Sequence, residues 1–494
     1  MINVPLLTRK PPHLKVKILT IGAGGLQRAL THEWVHDLIK AGKYDGGIFV
    51  GQPRHTSTAE ALNQQGGLYH VVTFNKDGVT RIKLIESVVG ASSLSTPEGK
   101  EKFLSWVKGS LDLILVGVTE AGVSKGQIGM DLLDETLFGY YSQHGSDSTI
   151  SVMDTDNLRG NGKILRDIQL EYAKEREIDS YIFWLENKVD FLDEMGDRLV
   201  PNPAAVPEAI KGEARRKIGK EDHLATYTEE MPGRWSLVIS DPKRRLRVPF
   251  SELAYRGVIV TTGSIDSYHD WKLRLLNSVH VPFISHLAQL SGYKRINDAA
   301  NDPLISGYLL SVVEGNARIV EKDIPIEGEN AVKYALSFVE RISSLEDDAA
   351  RININHTLKL RERISGTIVS PHYAAAPEDF KDKLAFAIAT VFRYLTAVNR
   401  EKRAWVGQTD TGKTYHFTDP NPTIPTLLIG AMEKSKEYVG KKMRQIFYDY
   451  SLWTPSGQKQ KVNLSSNPDC MRRVANFYYR MVNKEKALDI IREL

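Results

Sequence analysis

The sequence predicts an N-terminal α/β domain built on a parallel sheet, followed by a mostly α-helical C-terminal domain. Three observations predict this. Short apolar runs alternate with helical segments through the first half of the chain, which is typical of βαβ units. A glycine-rich turn follows the first of these runs. After about residue 262, apolar residues recur at three- and four-residue spacing, so we expect domains at residues 1–262 and 263–494.

The apolar runs of the first half contain few polar residues and therefore suit strands that helices cover on both faces. The predicted strands are Lys15–Ile21, Ile48–Gly51, Leu111–Val118, Thr149–Met153, Tyr181–Trp184, Trp235–Ser240 and Gly257–Thr262. A helix is predicted over Gln27–Lys40, directly after the first strand. The predicted helices of the second half are Asp270–Leu290, Phe380–Val398, Pro425–Tyr448 and Cys470–Leu494.

Composition excludes several classes of protein. The 494 residues are 41% hydrophobic and 26% charged, which is ordinary for a globular chain and argues against disorder. A net charge of +4 lacks the basic excess of a nucleic-acid binder, and the run Lys243–Arg247 is interpreted as a solvated face. One cysteine, Cys470, excludes an intramolecular disulfide and is expected to be structural. No apolar run approaches the length of a membrane span, and no secretory signal is visible, so a cytoplasmic protein without a membrane partner is expected.

The glycine-rich turn follows a predicted strand and opens a predicted helix, which is the context of a dinucleotide-binding turn of the Rossmann type. Gly22 would allow the tight turn, and Gly24 would let backbone approach a pyrophosphate at the helix N-terminus. The third glycine of the G-x-G-x-x-G pattern is replaced by Gln27. The alternative is a glycine-rich βα loop in an unrelated α/β protein.

The end of the second predicted strand bears on the choice of cofactor. In NAD enzymes an acidic residue usually binds the adenosine ribose at this point. Residues 50–56 contain no acid, and Arg54 could meet a 2′-phosphate. The sequence therefore leaves NADP open beside NAD.

A rival motif lies in the same helix. His32, Glu33 and His36 match H-E-x-x-H, in which two histidines on one helical face bind zinc and the glutamate is a general base. Glu60 would be a candidate third ligand. Only about 30 residues precede the motif, too few for the sheet that such enzymes place before the zinc helix. We therefore favour packed or surface residues of a first Rossmann helix.

Three polar residues mark the start of the helical half. At about 100° per residue, Asn277 and His280 lie about 60° apart, and Lys272 lies about 140° from Asn277. Alcohol oxidation needs a base for the hydroxyl proton, and a desolvated lysine can provide it. An asparagine amide can donate to the developing alkoxide. The alternative is an ordinary amphipathic helix.

These three residues also form K-x4-N-x2-H, which resembles the signature of the mannitol dehydrogenase family of polyol-specific long-chain dehydrogenases. Further segments resemble that family's motifs in the same order along the chain. They are Gly22–Ala29 (G-x-G-x-F-x-R-A), 119–122 (T-E-x-G), 156–162 (D-N-L-x-x-N-G) and Met195–Pro201 (M-V-D-R-I-x-P).

The resemblance implies a metal-independent NAD(P) oxidoreductase with its active site between a Rossmann-type domain and a helical domain. It implies that Lys272 is the general acid/base, that Asn157 and Asn277 form an oxyanion hole, and that His280 orients substrate hydroxyls. The cofactor-binding residues implied by the matched motifs are Gly22, Ala23, Gly24, Gly25, Leu26, Arg28, Thr119, Glu120 and Asp197.

The chain also departs from the family pattern. Leu26 and Gln27 replace the usual Phe-His, and Gly196 replaces the usual Val. Residues 355–371 resemble the family's substrate-facing segment but are shorter before Pro371, with Arg361 and Arg363 as candidate contacts for distal substrate groups. The alternative for each arginine is a surface helix charge, which we slightly favour.

We therefore expect the substrate to be a sugar alcohol, aldonate or ketose, and the chain to be a monomer or a weak homo-oligomer. Two other classes stay open at this point. One is a non-catalytic NAD-binding sensor, which has no need of the lysine base. The other is the zinc hydrolase that H-E-x-x-H suggests.

Overall fold

The computed structural model describes residues 5–8, 14–54, 56–75, 77–118, 122–155, 158–229, 235–344, 346–455 and 460–494. The chain divides into two compact units, Met1–Tyr268 and His269–Leu494. The sequence places the boundary near residue 262, which is the end of the last strand of the first unit.

The first unit is an α/β domain. Its strands are β1 (Lys15–Ile21), β2 (Gly46–Gln52), β3 (Tyr69–Asn75), β4 (Gly78–Ile85), β5 (Val88–Ser93), β6 (Leu113–Val116), β7 (Ile150–Asp154), β8 (Val189–Gly196), β9 (Thr226–Glu229), β10 (Leu237–Ser240) and β11 (Val258–Thr261). The large sheet has the order β11-β10-β8-β7-β6-β1-β2-β5, and a smaller sheet has the order β4-β3-β9. The large sheet is parallel except where β10 pairs with β8.

Helices cover the strands of the first unit. They are α1 (Gly25–Ala29), α2 (Thr31–Lys40), α3 (Thr56–Gln64), α4 (Pro97–Leu104), α5 (Ile128–His144), α6 (Asn161–Arg176), α7 (Asp179–Asn187), α8 (Glu208–Ile218) and α9 (Asp266–Trp271), which runs into the second unit. The helix predicted over residues 27–40 is two helices, because Leu30 (φ −120°, ψ −88°) interrupts it.

The core explains why the central strands read as continuous apolar runs. On β1, Ile18 belongs to the hydrophobic cluster on one side of the sheet, and its neighbour Leu19 belongs to the cluster on the other side. Leu115 and Ile114 of β6 divide in the same way. Both faces are buried, so neither face requires polar residues.

The strand predicted over Tyr181–Trp184 is wrong, because this segment lies in α7. Tyr181, Trp184 and Leu185 are fully buried, whereas Phe183 between them is 56% exposed. That is the spacing of one buried helical face, and a four-residue apolar run is too short to reveal it. The strand of this region, β8, begins at Val189.

The second unit is mostly helical. Its further helices are α10 (Ser285–Leu290), α11 (Ile296–Ala300), α12 (Pro303–Asp323), α13 (Ala331–Ser344), α14 (Ala349–Ile352), α15 (His356–Val369), α16 (Pro371–Ala374), α17 (Glu378–Tyr394), α18 (Thr423–Leu428), α19 (Lys436–Phe447), α20 (Tyr450–Trp453), α21 (Pro468–Val482) and α22 (Ala487–Ile491). Helix α17 is buried nearly all round and packs on α10, α12 and α21. Cys470, at the start of α21, is buried, as expected for a structural thiol.

Two features of this unit were not predicted. An antiparallel sheet is formed by β12 (Asn399–Glu401), β13 (Ala404–Gln408) and β14 (Thr414–Phe417). The predicted helix Asp270–Leu290 instead comprises the end of α9, two π-helical segments (Lys272–Asn277 and Val279–Ile284) and α10. None of the described helices has the length and apolar character needed to cross a bilayer.

Candidate active site

The glycine-rich turn between β1 and α1 requires glycine where the chain reverses. Gly22 has φ +91°, and a Cβ on it would lie 2.5 Å from the carbonyl oxygen of Gly117. A side chain at this position would therefore be strained and would also collide with backbone. Arg28 of α1 holds the turn from the other side, since its Nη1 donates to the Ala23 carbonyl at 2.7 Å.

A cavity of about 270 Å³ opens beside this turn. It is lined by Gly22, Ala23, Gly24, Gln52, Pro53, Arg54, Gly117, Val118, Gly122, Gln127, Ile128 and Gly129. These residues follow the carboxyl ends of β1, β2 and β6 or begin α5. That edge of a parallel sheet is where nucleotides bind in doubly wound folds.

Among the described residues, Gly25, Leu26 and Asp197 were also predicted to contact the cofactor, and they are not part of this lining. Gly25 and Leu26 begin α1, and Leu26 packs on the core cluster. Asp197 is buried after β8, where its N–H donates to the Ser236 carbonyl at 3.0 Å. Thr119 and Glu120 lie outside the described residues.

Gln52 ends β2, at the position where an acid usually binds ribose. Its Oε1 accepts the N–H of Ala23 at 3.2 Å, so it braces the glycine turn. Arg54, two residues further on, is exposed and lines the cavity. This wall of the cavity therefore presents a cation and an amide.

The H-E-x-x-H residues serve other purposes. His32 Nε2 lies 3.2 Å from Thr20 Oγ1, and His36 Nδ1 accepts the N–H of Glu86 at 3.0 Å. Glu60 is exposed on α3. Across the described ranges, no three His, Cys, Asp or Glu side chains group as metal ligands. The two histidines are thus packed inside the domain, as the sequence favours.

Glu33 of that motif is the centre of a buried ion-pair cluster. It is fully buried and pairs with Arg198 at 2.5 Å, with Lys83 at 2.7 Å and with Arg81 and Arg256 at 3.2 Å. Burial opposes its ionisation, but the surrounding cations prevail and lower the pKa of Glu33 to about 2. The pairing with Arg198, which follows Asp197 in the fourth motif, was not foreseen from the sequence.

In the D-N-L-x-x-N-G motif, the second asparagine has a structural role. Asn161, the second asparagine, donates through Nδ2 to the Glu194 carbonyl at 3.1 Å and accepts the Glu194 N–H through Oδ1 at 3.0 Å. It thereby ties the start of α6 to β8. Asn157, the predicted oxyanion-hole residue, lies outside the described residues.

In the second unit, the π-helical segment changes the relation between Lys272 and Asn277. A π-helix joins each N–H to the carbonyl five residues earlier, so residues five apart stand almost above one another. The angle of 140° expected for an α-helix is therefore an overestimate. Lys272 is buried, with 9% of its surface exposed, and Asn277 is half-buried.

Hydrogen bonds from other helices and from Ser278 within the segment support this widened helix. The Arg274 carbonyl accepts from Asn316 Nδ2 of α12 at 2.7 Å and from Ser278 Oγ at 2.6 Å. Pro282 has no N–H to give to the carbonyl five residues before it, which is that of Asn277. Arg363 Nη1 of α15 donates to that carbonyl at 2.8 Å instead. Arg363 therefore holds the segment that carries Asn277.

His280 lies one turn further along, where its ring meets Phe338 of α13 edge to face at 5.1 Å. Burial, followed by the charges of Arg363, Lys359, Arg351 and Arg341, lowers the pKa of His280 to about 3. The imidazole is thus neutral near pH 7 and can both donate to and accept from hydroxyl groups. Arg361, the other predicted substrate contact, pairs with its neighbour Glu362 at 2.9 Å.

The first unit thus offers a glycine-lined cavity at a sheet edge. The second unit offers a buried lysine and a half-buried asparagine at the two ends of one π-helical segment, followed by a neutral imidazole. The amine can exchange a proton with a hydroxyl, and the amide can donate to an oxyanion.

Comparisons with known proteins agree with this description. Two family models match the chain, the mannitol dehydrogenase Rossmann domain over residues 16–245 and the mannitol dehydrogenase C-terminal domain over residues 264–424. Mannitol 2-dehydrogenase of Aspergillus oryzae is 26% identical over 439 residues, covering 82% of each chain. Altronate oxidoreductase of Halalkalibacterium halodurans is 24% identical over 431 residues, covering 82% of this chain and 80% of its own.

Solved structures show the same fold. Mannitol 2-dehydrogenase of Pseudomonas fluorescens, in a ternary complex with NAD and D-mannitol, superposes with a TM-score of 0.73 at 17% identity, covering 100% of this chain and 96% of its own. A substrate-free D-sorbitol dehydrogenase gives 0.74 at 19% identity, covering 99% and 98%. The Rossmann-type unit followed by a mostly helical unit is therefore confirmed, and the chain belongs to the mannitol dehydrogenase family.

Proposed function

We propose that this chain is an NAD(P)-dependent oxidoreductase that interconverts a secondary alcohol of a polyol or aldonate with the corresponding ketone. The observation that carries the proposal is the π-helical segment Lys272–Asn277, which begins with the buried lysine, ends with the asparagine five residues later and is followed by His280. Membership of the mannitol dehydrogenase family supports the same reaction class.

The cofactor site in this proposal is the cavity beside the glycine turn. The residues present fit a dinucleotide, because a Cβ on Gly24 would meet no atom within 4 Å and the backbone there is open. Backbone of Gly22–Gly24 would hold the pyrophosphate, and the wall formed by Gln52 and Arg54 would face the adenosine ribose. When bound, NAD(P)⁺ supplies the hydride acceptor. NAD is the primary expectation, and Arg54 keeps NADP open.

Lys272 moves the proton. In oxidation its neutral amine takes the hydroxyl proton while a hydride leaves the same carbon, and in ketone reduction its ammonium returns a proton to the oxygen. Asn277 donates a hydrogen bond to the developing negative charge, and Asn157 is proposed as the second donor. His280 binds a neighbouring hydroxyl and orients the chain of the substrate. The proposed mechanism assigns no role to a metal ion.

The test is absorbance at about 340 nm, where reduced nicotinamide absorbs, with purified protein and either NADH or NADPH. The ketones are fructose, fructuronate, tagaturonate and pentuloses. Oxidation of one nucleotide by one ketone would establish the reaction and its cofactor together. Nucleotide binding without turnover on any of them would contradict the proposal and favour a non-catalytic sensor.

Two further expectations belong to this proposal. A monomer or weak homo-oligomer is expected, which light scattering during size-exclusion chromatography measures directly. A cytoplasmic location is expected as well, and cell fractionation tests it.

A further inference from the structure

A second cavity lies within the helical unit, where four helices begin or end. It has a volume of about 510 Å³ and is formed by the end of α15, by α16, and by the beginnings of α17 and α21. We call it the helix-end cavity, and its charged lining residues are Glu378, Lys381, Asp469 and Arg473. None of the described residues that are assigned above to the reaction or to the nucleotide lines it.

The charged residues of this cavity are paired with one another. Lys381 Nζ donates to Glu378 Oε1 at 2.8 Å. Arg473 Nε donates to Asp469 Oδ2 at 2.7 Å, and its two terminal nitrogens donate to Asp382 and to Glu378. The lining therefore presents both signs of charge, and its two cations balance its two carboxylates.

These pairs leave hydrogen-bonding capacity for a ligand. Arg473 has five N–H groups, and carboxylates of the described residues bind three of them. Lys381 has three, of which the Ala374 carbonyl and Glu378 bind two. Both side chains are largely buried, with 8% of Lys381 and 12% of the Arg473 side chain exposed. Hydrogen bonds made to them are therefore stronger than those at an open surface.

A hydroxyl group suits such a lining better than an ion does. It accepts from an ammonium or guanidinium and donates to the neighbouring carboxylate, so it uses both members of an existing ion pair. The two carboxylates would repel an anion, and the two cations would repel a cation. The lining also includes Ile368 and the 39% exposed Val369, which offer apolar surface to the C–H groups of a carbon chain.

Ser370 connects this cavity with the segment that carries Lys272. It belongs to the lining, and its Oγ donates to Asp323 Oδ1 at 2.6 Å. The other oxygen, Asp323 Oδ2, accepts from Arg274 Nη2 at 2.7 Å. Arg274 is buried and lies in the π-helical segment, two residues after Lys272. A ligand that moves Ser370 would therefore act on the ion pair that holds this segment.

We propose that the helix-end cavity binds a neutral polyhydroxylated molecule, a polyol or a sugar, as an effector, and that Ser370, Asp323 and Arg274 transmit this binding to the segment that carries Lys272. The effector changes the rate because it fits one arrangement of Ser370 better than another. Binding in the cavity is independent of the proposed function, whereas the effect on turnover rests on it. Since the proposed substrate is of the same chemical class, the enzyme would respond to the concentration of polyol.

Calorimetry with sorbitol, gluconate and glucamine tests the binding. These three share one hydroxylated carbon chain and are neutral, negative and positive, respectively. Ser466, an exposed residue of the lining, is replaced in Ser466→Trp to fill the cavity. We expect sorbitol to bind roughly 10-fold or more weakly to this variant, the worth of one charge-assisted hydrogen bond. Ser146→Trp, at an exposed turn of the first unit, is the control and should bind as the parent chain does.

Reduction of the preferred ketone, with and without sorbitol, tests the coupling. We expect the cavity-bound polyol to change the KM of the ketone roughly 5-fold, the lower end of allosteric couplings. Competition at the active site persists in Ser466→Trp, so the difference between the two proteins measures the cavity alone. Asp323→Asn keeps an acceptor for Ser370 but removes the charge bound to Arg274. It should lose the effect on KM and retain the calorimetric binding of sorbitol.

Each outcome bears on one claim. Weaker sorbitol binding in Ser466→Trp alone supports the site, whereas equal binding in all three proteins, or no binding, overturns it. Tighter cavity binding of gluconate or glucamine overturns the neutral class of ligand. Sorbitol binding without any change in KM, or an effect that Asp323→Asn retains, overturns the coupling. Absence of turnover with every ketone contradicts the proposed function, and the calorimetric result on the cavity still stands.

Discussion

Gln27 and Gly117 occupy complementary space at the carboxyl edge of the sheet. Gln27 stands where the third glycine of the nucleotide-binding pattern is expected, and a Cβ on Gly117 would lie 2.6 Å from Gln27 Cγ. Gln27 Nε2 also donates to Thr155 Oγ1 at 2.7 Å. In the usual pattern a glycine on the helix leaves this space free. Here Gly117, which follows β6, leaves room for the Gln27 side chain instead. The Gln27 amide in turn links α1 to Thr155, which follows β7.

Gly117→Ala should therefore damage the cofactor site. The added methyl group would collide with Gln27 and lie 2.9 Å from the Gly22 carbonyl. We expect a loss of about 1–3 kcal/mol in the free energy of unfolding, the usual cost of overpacking, and weaker NADH binding. Denaturant titration and NADH fluorescence measure the two effects. Gly307→Ala is the control, because a Cβ at that helical position meets no atom within 4 Å, and it should stabilise slightly.

Lys272→Ala should remove turnover and leave NADH binding intact. Loss of a positioned general acid/base typically costs on the order of 10²–10⁴ in rate, whereas the glycine turn of the first unit is untouched. Steady-state kinetics and NADH titration are to be compared with those of Lys333→Ala, an exposed lysine of α13. Full activity in Lys272→Ala would refute the proposed mechanism.

Glu33→Gln should be strongly destabilising. It would leave Arg198 buried without its carboxylate, and breaking a buried ion pair from one side costs about 3–5 kcal/mol. Because the pKa of Glu33 lies at about 2, below its ordinary 4.5, this stabilisation is present above pH 4.5 and is lost as the pH falls through 2. Chemical denaturation measures it, with the exposed Asp45→Asn as control. If Glu33 were instead a zinc-site base, the variant would keep its stability and lose a chelator-sensitive hydrolysis.

A buried histidine pair should make stability fall in mild acid. His286 Nε2 lies 2.9 Å from His356 Nδ1. Burial, reinforced by Lys359, lowers the pKa of His356 to about 3, and burial with the adjacent His356 lowers that of His286 well below its ordinary value. Below pH 6.5 the two histidines bind protons in the unfolded chain but not in the folded chain. The free energy of unfolding therefore declines as the pH falls from 6.5 towards 3.

His356→Gln should flatten that decline. One imidazole fewer removes about 1.4 kcal/mol per pH unit from the slope between roughly pH 6 and 4. Urea denaturation at several pH values measures the slope. His416→Gln, at an exposed histidine of β14, should leave it unchanged. An unaltered slope in His356→Gln would show that the buried pair does not control acid stability.

Arg54→Ala should discriminate between the two nucleotides. Arg54 lines the cavity beside Gln52, and none of the described residues that line the cavity is an acid. A 2′-phosphate would lose a charge-assisted contact that is partly screened by solvent, so we expect roughly tenfold weaker NADPH binding. NADH, which lacks that phosphate, serves as the internal control. Equal weakening for both nucleotides would exclude recognition of the phosphate by Arg54.

Local sequence pattern was sufficient for much of the fold. Continuous apolar runs mark the central strands because both sheet faces are buried, and Gly22 marks the turn because only glycine tolerates its φ and its contact with Gly117. The short segment at Tyr181–Trp184 was misread because four residues cannot separate a strand from one face of a helix.

The candidate site depended on contacts that no local pattern contains. Spacing alone suggested Lys272, Asn277 and His280, but they lie in π-helical segments that hydrogen bonds from Asn316 and Arg363 on other helices support. The ring of His280 meets Phe338 of another helix, α13. Glu33, which belongs to a zinc-like motif, forms a buried ion pair with Arg198, 165 residues away. Periodicity determines which side chains share a face, whereas packing between distant segments determines which of them meet and with what charge.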